Sequence, residues 1–336
     1  MSKIIIIAEA GVNHNGSIII AKKLVDAASL AGADYVKFQT FVPDLIVSEA
    51  AQKADYQKTS SIIETQHQML TKLTLKESEY LELITYCKVK KIGFLSTAFD
   101  EVSALNLKKW GMDIYKIPSG EITNKPLIEF ISRIASEIIL STGMSTLDDI
   151  ENAIEIIKNN SNQIPITILH CTSEYPAPFN EVNLNSMLTI RQKFNLPVGY
   201  SDHTIGIEIP IASAAMGAKV IEKHFTIDKK MSGPDHKASI DATELKMMVS
   251  SIRNIEKALG SKEKEITNSE RKNITVVRRS IHISKLVRKG SIITKNDLIM
   301  LRPGDGISPM DINIVIGSKA AKDLIKNNKL EHGDFK

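Results

Sequence analysis

The chain has 336 residues, 43% of them apolar, which is enough to bury a full-sized core and suits one large domain with a small appendage. Charged residues make up 24% and the formal net charge is only +4, so a broad basic surface for nucleic acid is excluded. No run approaches the roughly 20 apolar residues that span a bilayer, and the short apolar run Ile4 to Ala8 lacks the length and cleavage site of a signal peptide.

The only cysteines, Cys87 and Cys171, show no ligand-like pairing, and a soluble protein of the reducing cytoplasm is the expectation. In chain order, short β-branched runs alternate with segments of helical period, as parallel strands covered by crossover helices require. The strands are read as Ile4 to Ala8, Tyr35 to Gln39, Gly93 to Ser96, Ile114 to Ile117, Ile138 to Ser141, Ile166 to His170, Pro197 to Ser201 and Val220 to His224. Helices are predicted over Ile18 to Ala31, Lys76 to Lys90, Leu147 to Asn159, Ile207 to Met216 and Ala242 to Leu259. Eight such units close a (β/α)8 TIM barrel over residues 1–260. An open doubly wound sheet would alternate in the same way, but its first turn usually carries GxGxxG, which GVNHNG does not match.

Residues 261–275 are polar and lysine-rich and read as a solvated linker long enough to reach a neighbouring subunit. From 276 to 336 the elements are short and broken by Gly290, Pro303, Gly304, Gly306, Pro309, Gly317 and Gly333, which predicts a small, turn-rich domain.

In a parallel barrel the carboxyl ends of all strands open on one face, so residues distant in sequence converge there. Nearly every strand here supplies polar groups: Glu9, Asn13 and His14; Lys37 and Gln39; Ser96 and Thr97; Lys116, Ser119 and Glu121; Ser141 and Thr142; His170; Ser201, Asp202 and His203; and His224. His203 and His224 end neighbouring strands, so their imidazoles can meet at one divalent ion or serve as hydrogen-bonded structural residues. As metal ligands, two imidazoles with open positions favour Mn2+, with Mg2+ or Co2+ as the other candidates. Asp202 and Glu222 are expected to orient these rings from behind. Lys37 and Lys116, with Ser119, Ser141 and Ser201, suit an anionic phosphate ester, while Gly120 and Gly143 let backbone amides approach. Surface lysines capping strand ends, or a Schiff-base lysine, are the competing readings. Glu9 and Glu121 can bind sugar hydroxyls, move protons or simply pair with lysines. Asp235, in SGPDHKAS, belongs either to a loop over the site or to a turn beside Gly233 and Pro234.

The segments IAEAGVNHNG, VKFQTF, YKIPSGE, LSTGMSTLDDI, LHCTSEYPAPF, VGYSDHTIGIE, IEKHFTIDKKMSGPDHKAS and LRPGDGISP, spread over almost the whole chain, together resemble the sialic acid synthase family. The resemblance implies a TIM barrel followed by an antifreeze-like (SAF) domain, in a domain-swapped homodimer where each small domain covers the partner's active site. It implies His203 and His224 as metal ligands, and Lys37, Thr97, Lys116, Ser119, Ser141, Tyr175 and Ser201 as the phosphoenolpyruvate site. Glu9, Gln39, Asp235 and, from the partner's tail, Arg302 would hold the sugar, with Glu9, Glu121 and Lys116 as catalytic groups. The implied reaction joins C3 of phosphoenolpyruvate to the aldehyde of an N-acylated amino sugar, water attacks C2, and phosphate leaves.

Two departures stand out: the family's STPF run reads STAF, placing Ala98 where proline is usual, and HCTSEY puts Ser173 where an amide or threonine often sits. The first is expected to loosen the loop after the third strand. N-acetylmannosamine, giving N-acetylneuraminate, is the first expectation for the sugar. A 2,4-diacetamido-2,4,6-trideoxymannose, giving N,N'-diacetyllegionaminate, is its rival, and the pseudaminate branch fits GVNHNG and VKFQTF less well. A Schiff-base pyruvate aldolase using Lys116 or Lys37 would need no metal, and a non-enzymatic sugar or phosphate binder would not need eight polar strand ends.

Overall fold

The computed structural model describes residues 3–49, 51–52 and 65–336. It divides into two units, 1–260 and 261–336.

In the first unit eight strands run parallel: β1 (Ile5–Gly11), β2 (Tyr35–Thr40), β3 (Gly93–Ala98), β4 (Ile114–Ile117), β5 (Glu137–Ser141), β6 (Ile166–Cys171), β7 (Val198–Asp202) and β8 (Val220–Thr226). Hydrogen-bonded neighbours follow the order β3-β2-β1-β8-β7-β6-β5-β4, and β3 and β4 lie alongside each other, so the barrel is nearly closed. Runs such as Ile138, Ile139 and Leu140 are buried residue after residue, because a parallel sheet covered by helices is dry on both faces.

The helices are α1 (Ile18–Ala31), α2 (Pro43–Ile46), α3 (Gln66–Leu73), α4 (Glu77–Lys90), α5 (Glu101–Lys109), α6 (Lys125–Ile134), α7 (Leu147–Asn160), α8 (Ser186–Phe194), α9 (Glu208–Ala215) and α10 (Ala242–Leu259). Helix α7 shows why the chain turns helical where it does. A capping box between Thr146 and Asp149 opens it, and Ile150, Ala153, Ile154 and Ile157, at intervals of three and four, form the buried stripe. The same logic starts α10, where Asp241 accepts from the Thr243 and Glu244 amides and Leu245, Met248, Val249 and Ile252 are buried. Among the described residues no helix is long and apolar enough to cross a membrane.

Six strands run past their sequence-based ends: β1 to Gly11, β2 to Thr40, β3 to Ala98, β6 to Cys171, β7 to Asp202 and β8 to Thr226. A neighbouring strand supplies the ladder bonds that keep these stretches extended. Ala98, rather than loosening a loop, is buried as the last residue of β3 and stands in register with Thr40. The Ser232–Ser239 segment leads into an unforeseen short strand, β9 (Ile240–Asp241), which pairs with the end of β8.

In the second unit the stretch read as a linker contains a helix, α11 (Asn268–Val277), started by a capping box between Thr267 and Glu270. Beyond it, β10 (Ser280–Ile283) and β11 (Leu298–Leu301) pair antiparallel, and α12 (Ile312–Val315) follows. This unit has its own core, built around Ile281, Ile283, Ile293, Val315 and Leu330.

Candidate active site

Successive side chains of a strand point to opposite faces, so residues two apart share one. Glu222 and His224 of β8 therefore point into the barrel, and Lys223 points out. The register aligns Glu9 of β1 with Lys37 of β2 on one side and with His224 on the other. Ser201 of β7 stands in register with Glu222, and Cys171 of β6 with Ser201. The result is a ring of inward polar groups at the carboxyl end of the barrel, around a cavity of about 470 Å³.

Four buried charges form its floor. Lys37 Nζ lies 2.7 Å from Glu9 Oε2 and 3.6 Å from Glu222 Oε2, and donates to Thr97 Oγ1 at 2.9 Å. Lys116 Nζ donates to Glu222 Oε1 at 2.8 Å, and Ser201 Oγ donates to the same oxygen at 3.0 Å. Two cations thus face two carboxylates, an arrangement that keeps each charge tolerable out of water. Burial pulls Glu222 upward, but Lys116 and Lys37 outweigh it and hold its carboxyl well below the usual range. Glu9, whose burial outweighs Lys37 and is reinforced by Glu222, is pushed up to about 7. One carboxylate is thereby held ionised while its neighbour is poised to carry a proton near neutrality.

Above this floor stand the imidazoles. His203 Nδ1 is 2.6 Å from the Thr172 carbonyl, which fixes a proton on that nitrogen and leaves Nε2 as the atom that could meet a metal. Burial, then His203 and Lys37, hold His224 well below the ordinary histidine range, so its ring is neutral. The ring centroids are 5.6 Å apart, and Tyr175 packs against both, 4.0 Å from His203 and 5.7 Å from His224. The buried Nδ1 of His224 has no hydrogen-bond partner among the described residues, and Asp235 Oδ2, at 3.7 Å, is too far for one. A buried neutral imidazole with an unmet nitrogen, beside a second imidazole held by its Nδ1, fits a divalent ion. No cluster of three or more histidine, cysteine, aspartate or glutamate side chains among the described residues could complete such a site, so water and substrate would have to fill it.

Burial raises Asp235 to about 6. Its loop is tied down by Asn13, whose side-chain amide donates to the Phe225 carbonyl at 2.8 Å and to Ser239 Oγ at 2.9 Å, while Ser239 Oγ donates to the Asp235 carbonyl at 2.7 Å. Gly11, at φ +52°, is needed between them: a Cβ there would lie 3.3 Å from Glu9, His224 and Asp235 alike.

On the far side Ser119 Oγ accepts from the Gly143 amide at 2.9 Å, and Ser173 takes the space against Gly143, where a Cβ would stand 2.1 Å from its hydroxyl. Ser141 Oγ is buried without a partner among the described residues, and Glu121 Oε2 accepts from the Asn124 amide at 2.7 Å. Thus the candidates Glu9, Lys37, Gln39, Thr97, Lys116, Ser119, Glu121, Ser141, Tyr175, Ser201, His203, His224 and Asp235 all line one cavity. Arg302 lies in the second unit, exposed, its Nε donating to the Val277 carbonyl at 2.9 Å.

Several strand-end residues point elsewhere. Asp202 does not orient an imidazole; strand alternation turns it outward, where it is buried against Lys223 and accepts from the Thr204 hydroxyl at 2.9 Å. Glu222 does not back a histidine either but bridges the lysines. His170 accepts no role in the cavity, its Nε2 lying 2.8 Å from the Val182 carbonyl, and Ser96 bonds Thr40 at 2.7 Å. The parity rule applied to β8 would have placed Glu222 in the site.

The NeuB family model matches residues 24–264, and a SAF domain model matches 278–328. The chain belongs to the NeuB family. This family member is 51% identical to the N,N'-diacetyllegionaminic acid synthase of Campylobacter jejuni serotype O:2, over 96% of this chain and 97% of that one. It is 47% identical to the protein of the same name from Legionella pneumophila, over 95% and 91%. The crystal structure of the N-acetylneuraminic acid synthetase of Leptospira borgpetersenii superposes with a TM-score of 0.71 at 33% identity, covering 81% of this chain and 90% of that one.

Proposed function

We propose that this protein is a nonulosonic acid synthase that condenses phosphoenolpyruvate with an N-acylated amino sugar and water and releases phosphate. The observation that carries the reading is the buried quartet Lys37, Lys116, Glu9 and Glu222 set beside two buried imidazoles, His203 and His224. Lys37, Thr97, Lys116, Ser119, Ser141, Tyr175 and Ser201 take the carboxylate and phosphate of phosphoenolpyruvate, and Ser141 brings a buried hydroxyl with no other partner among the described residues. Glu9, Gln39 and Asp235 take the sugar, with Arg302 reaching it from the partner subunit of a domain-swapped homodimer.

His203 and His224 hold the divalent ion, read as Mn2+, which when bound supplies Lewis acidity toward the sugar's carbonyl oxygen. As C3 of phosphoenolpyruvate forms its bond to the aldehyde carbon, protonated Glu9 is placed to give that oxygen its proton. Glu121 takes the proton of the water that adds to C2, and the C2–O bond breaks to free phosphate. Lys116 and Lys37, already desolvated, meet the growing negative charge without reorganisation. For the sugar, the 51% and 47% relatives support 2,4-diacetamido-2,4,6-trideoxymannose over N-acetylmannosamine.

Phosphate release with phosphoenolpyruvate, Mn2+ and each sugar tests the proposal. Activity should require both substrates and fall by roughly a thousandfold with chelator or in His224→Ala, of the order lost when a transition-state contact is removed. Chelator-insensitive turnover, or trapping of pyruvate on a lysine by borohydride, would refute it.

A further inference from the structure

The cavity has a second character that the reaction just described leaves unused. Beyond the charged floor, Val12, Phe41, Met69 and Leu73 form a small apolar cluster of their own, with Phe99 packed edge-on to Phe41 at 6.1 Å between centroids, and all five line the same cavity. They lie past the ends of β1, β2 and β3 and on α3. The anion-holding groups Lys116, Ser119, Ser141 and Ser201 come from the β4, β5 and β7 side. Among the cavity-lining described residues of α2, α3 and the turn after α2, Gln66 is the single polar one.

The cluster begins where the sugar must begin. Val12 directly follows Gly11, whose Cα faces Glu9, His224 and Asp235 together. A sugar with its aldehyde at that corner, and phosphoenolpyruvate over the lysines, has its remaining carbons directed toward the apolar wall.

We infer that Phe41, Met69 and Leu73, backed by Val12 and Phe99, read the far end of the sugar and select a methyl at C6 over a free hydroxyl. This inference rests on the synthase reading above. A hydroxyl pressed on this wall loses its water without gaining a partner, whereas a methyl group gains contact. An apolar pocket of this kind discriminates by about 100-fold.

Steady-state phosphate release by the full-length protein with Mn2+ and phosphoenolpyruvate would compare 2,4-diacetamido-2,4,6-trideoxymannose with N-acetylmannosamine. The wild type should favour the first by about 100-fold in kcat/KM. Met69→Gln and Leu73→Asn, which keep shape and add polarity, should cost that sugar about tenfold through KM and narrow the preference, leaving the KM for phosphoenolpyruvate unchanged. Met69→Leu should behave as wild type, separating polarity from packing. Equal use of both sugars by an active wild type, or variants that lose both in proportion, would overturn the inference while leaving the reaction standing. Absence of phosphate release with either sugar would instead remove the reaction itself, and the inference with it.

Discussion

At the scale of single residues, function here is a matter of parity along a strand. Lys223 and His224 are neighbours in sequence, yet one is locked outward against Asp202 and the other faces the cavity. Reading a polar residue after each apolar run found most of the site but admitted His170 and Asp202, because a strand's end and its facing were unknown. His14 shows how burial alone sets a titration. It is fully buried, its Nδ1 accepts from the Gly16 amide at 3.1 Å, and burial lowers it to about 4 from an ordinary 6.5. Since the unfolded chain takes up a proton at 6.5 that the folded chain refuses until about 4, stability is full above 6.5 and is lost as pH falls through that window. The loss amounts to about 3 kcal/mol. Urea denaturation at a series of pH values across that window should show it, and His14→Gln, which can still accept at its side-chain oxygen, should flatten the dependence. An unchanged slope in the variant would mean that other groups cause the acid lability.

Among the elements, the helices were legible because their buried stripes repeat at intervals of three and four and their starts carry capping boxes, as in α7 and α10. The lengths of the strands were not, since polar residues such as Glu9, Asp202 and Thr226 stay extended only when neighbouring strands supply hydrogen bonds. The segment that carries Asp235 was unreadable for a related reason. It is ordered by β9 pairing with β8, by the Asn13 amide and by His236, whose Nδ1 lies 2.7 Å from the Thr226 hydroxyl. Removing that anchor with Asn13→Ala should leave two buried acceptors unmet and free the loop. The KM for the sugar should rise about tenfold, in keeping with one lost buried hydrogen-bonding group, while the KM for phosphoenolpyruvate stays put. A rise in both together would mean that Asn13 supports the barrel rather than the loop.

For the whole molecule, the proposed swapped dimer makes a prediction that one chain by itself cannot satisfy. Arg302→Ala and His224→Ala should each be nearly inactive, yet subunits of the two mixed and reassembled should recover activity. The mixed dimer joins an intact barrel from one subunit to an intact tail from the other, so an equal mixture should regain about a quarter of the wild-type rate. No recovery, with mixed dimers demonstrated by a tagged subunit, would mean that each site is built within one chain. The sequence on its own determined the eightfold alternation, the break near Gly260 and the inventory of charged strand ends, because hydrophobic period and turn chemistry are local properties of a chain. Only the tertiary structure decided which carboxylate stays ionised, which imidazole keeps an unmet nitrogen, and that apolar side chains past the ends of β1, β2 and β3 and on α3 share a cavity with two buried lysines. Those properties depend on distances between strands and on the loss of water around them, which no stretch of sequence contains.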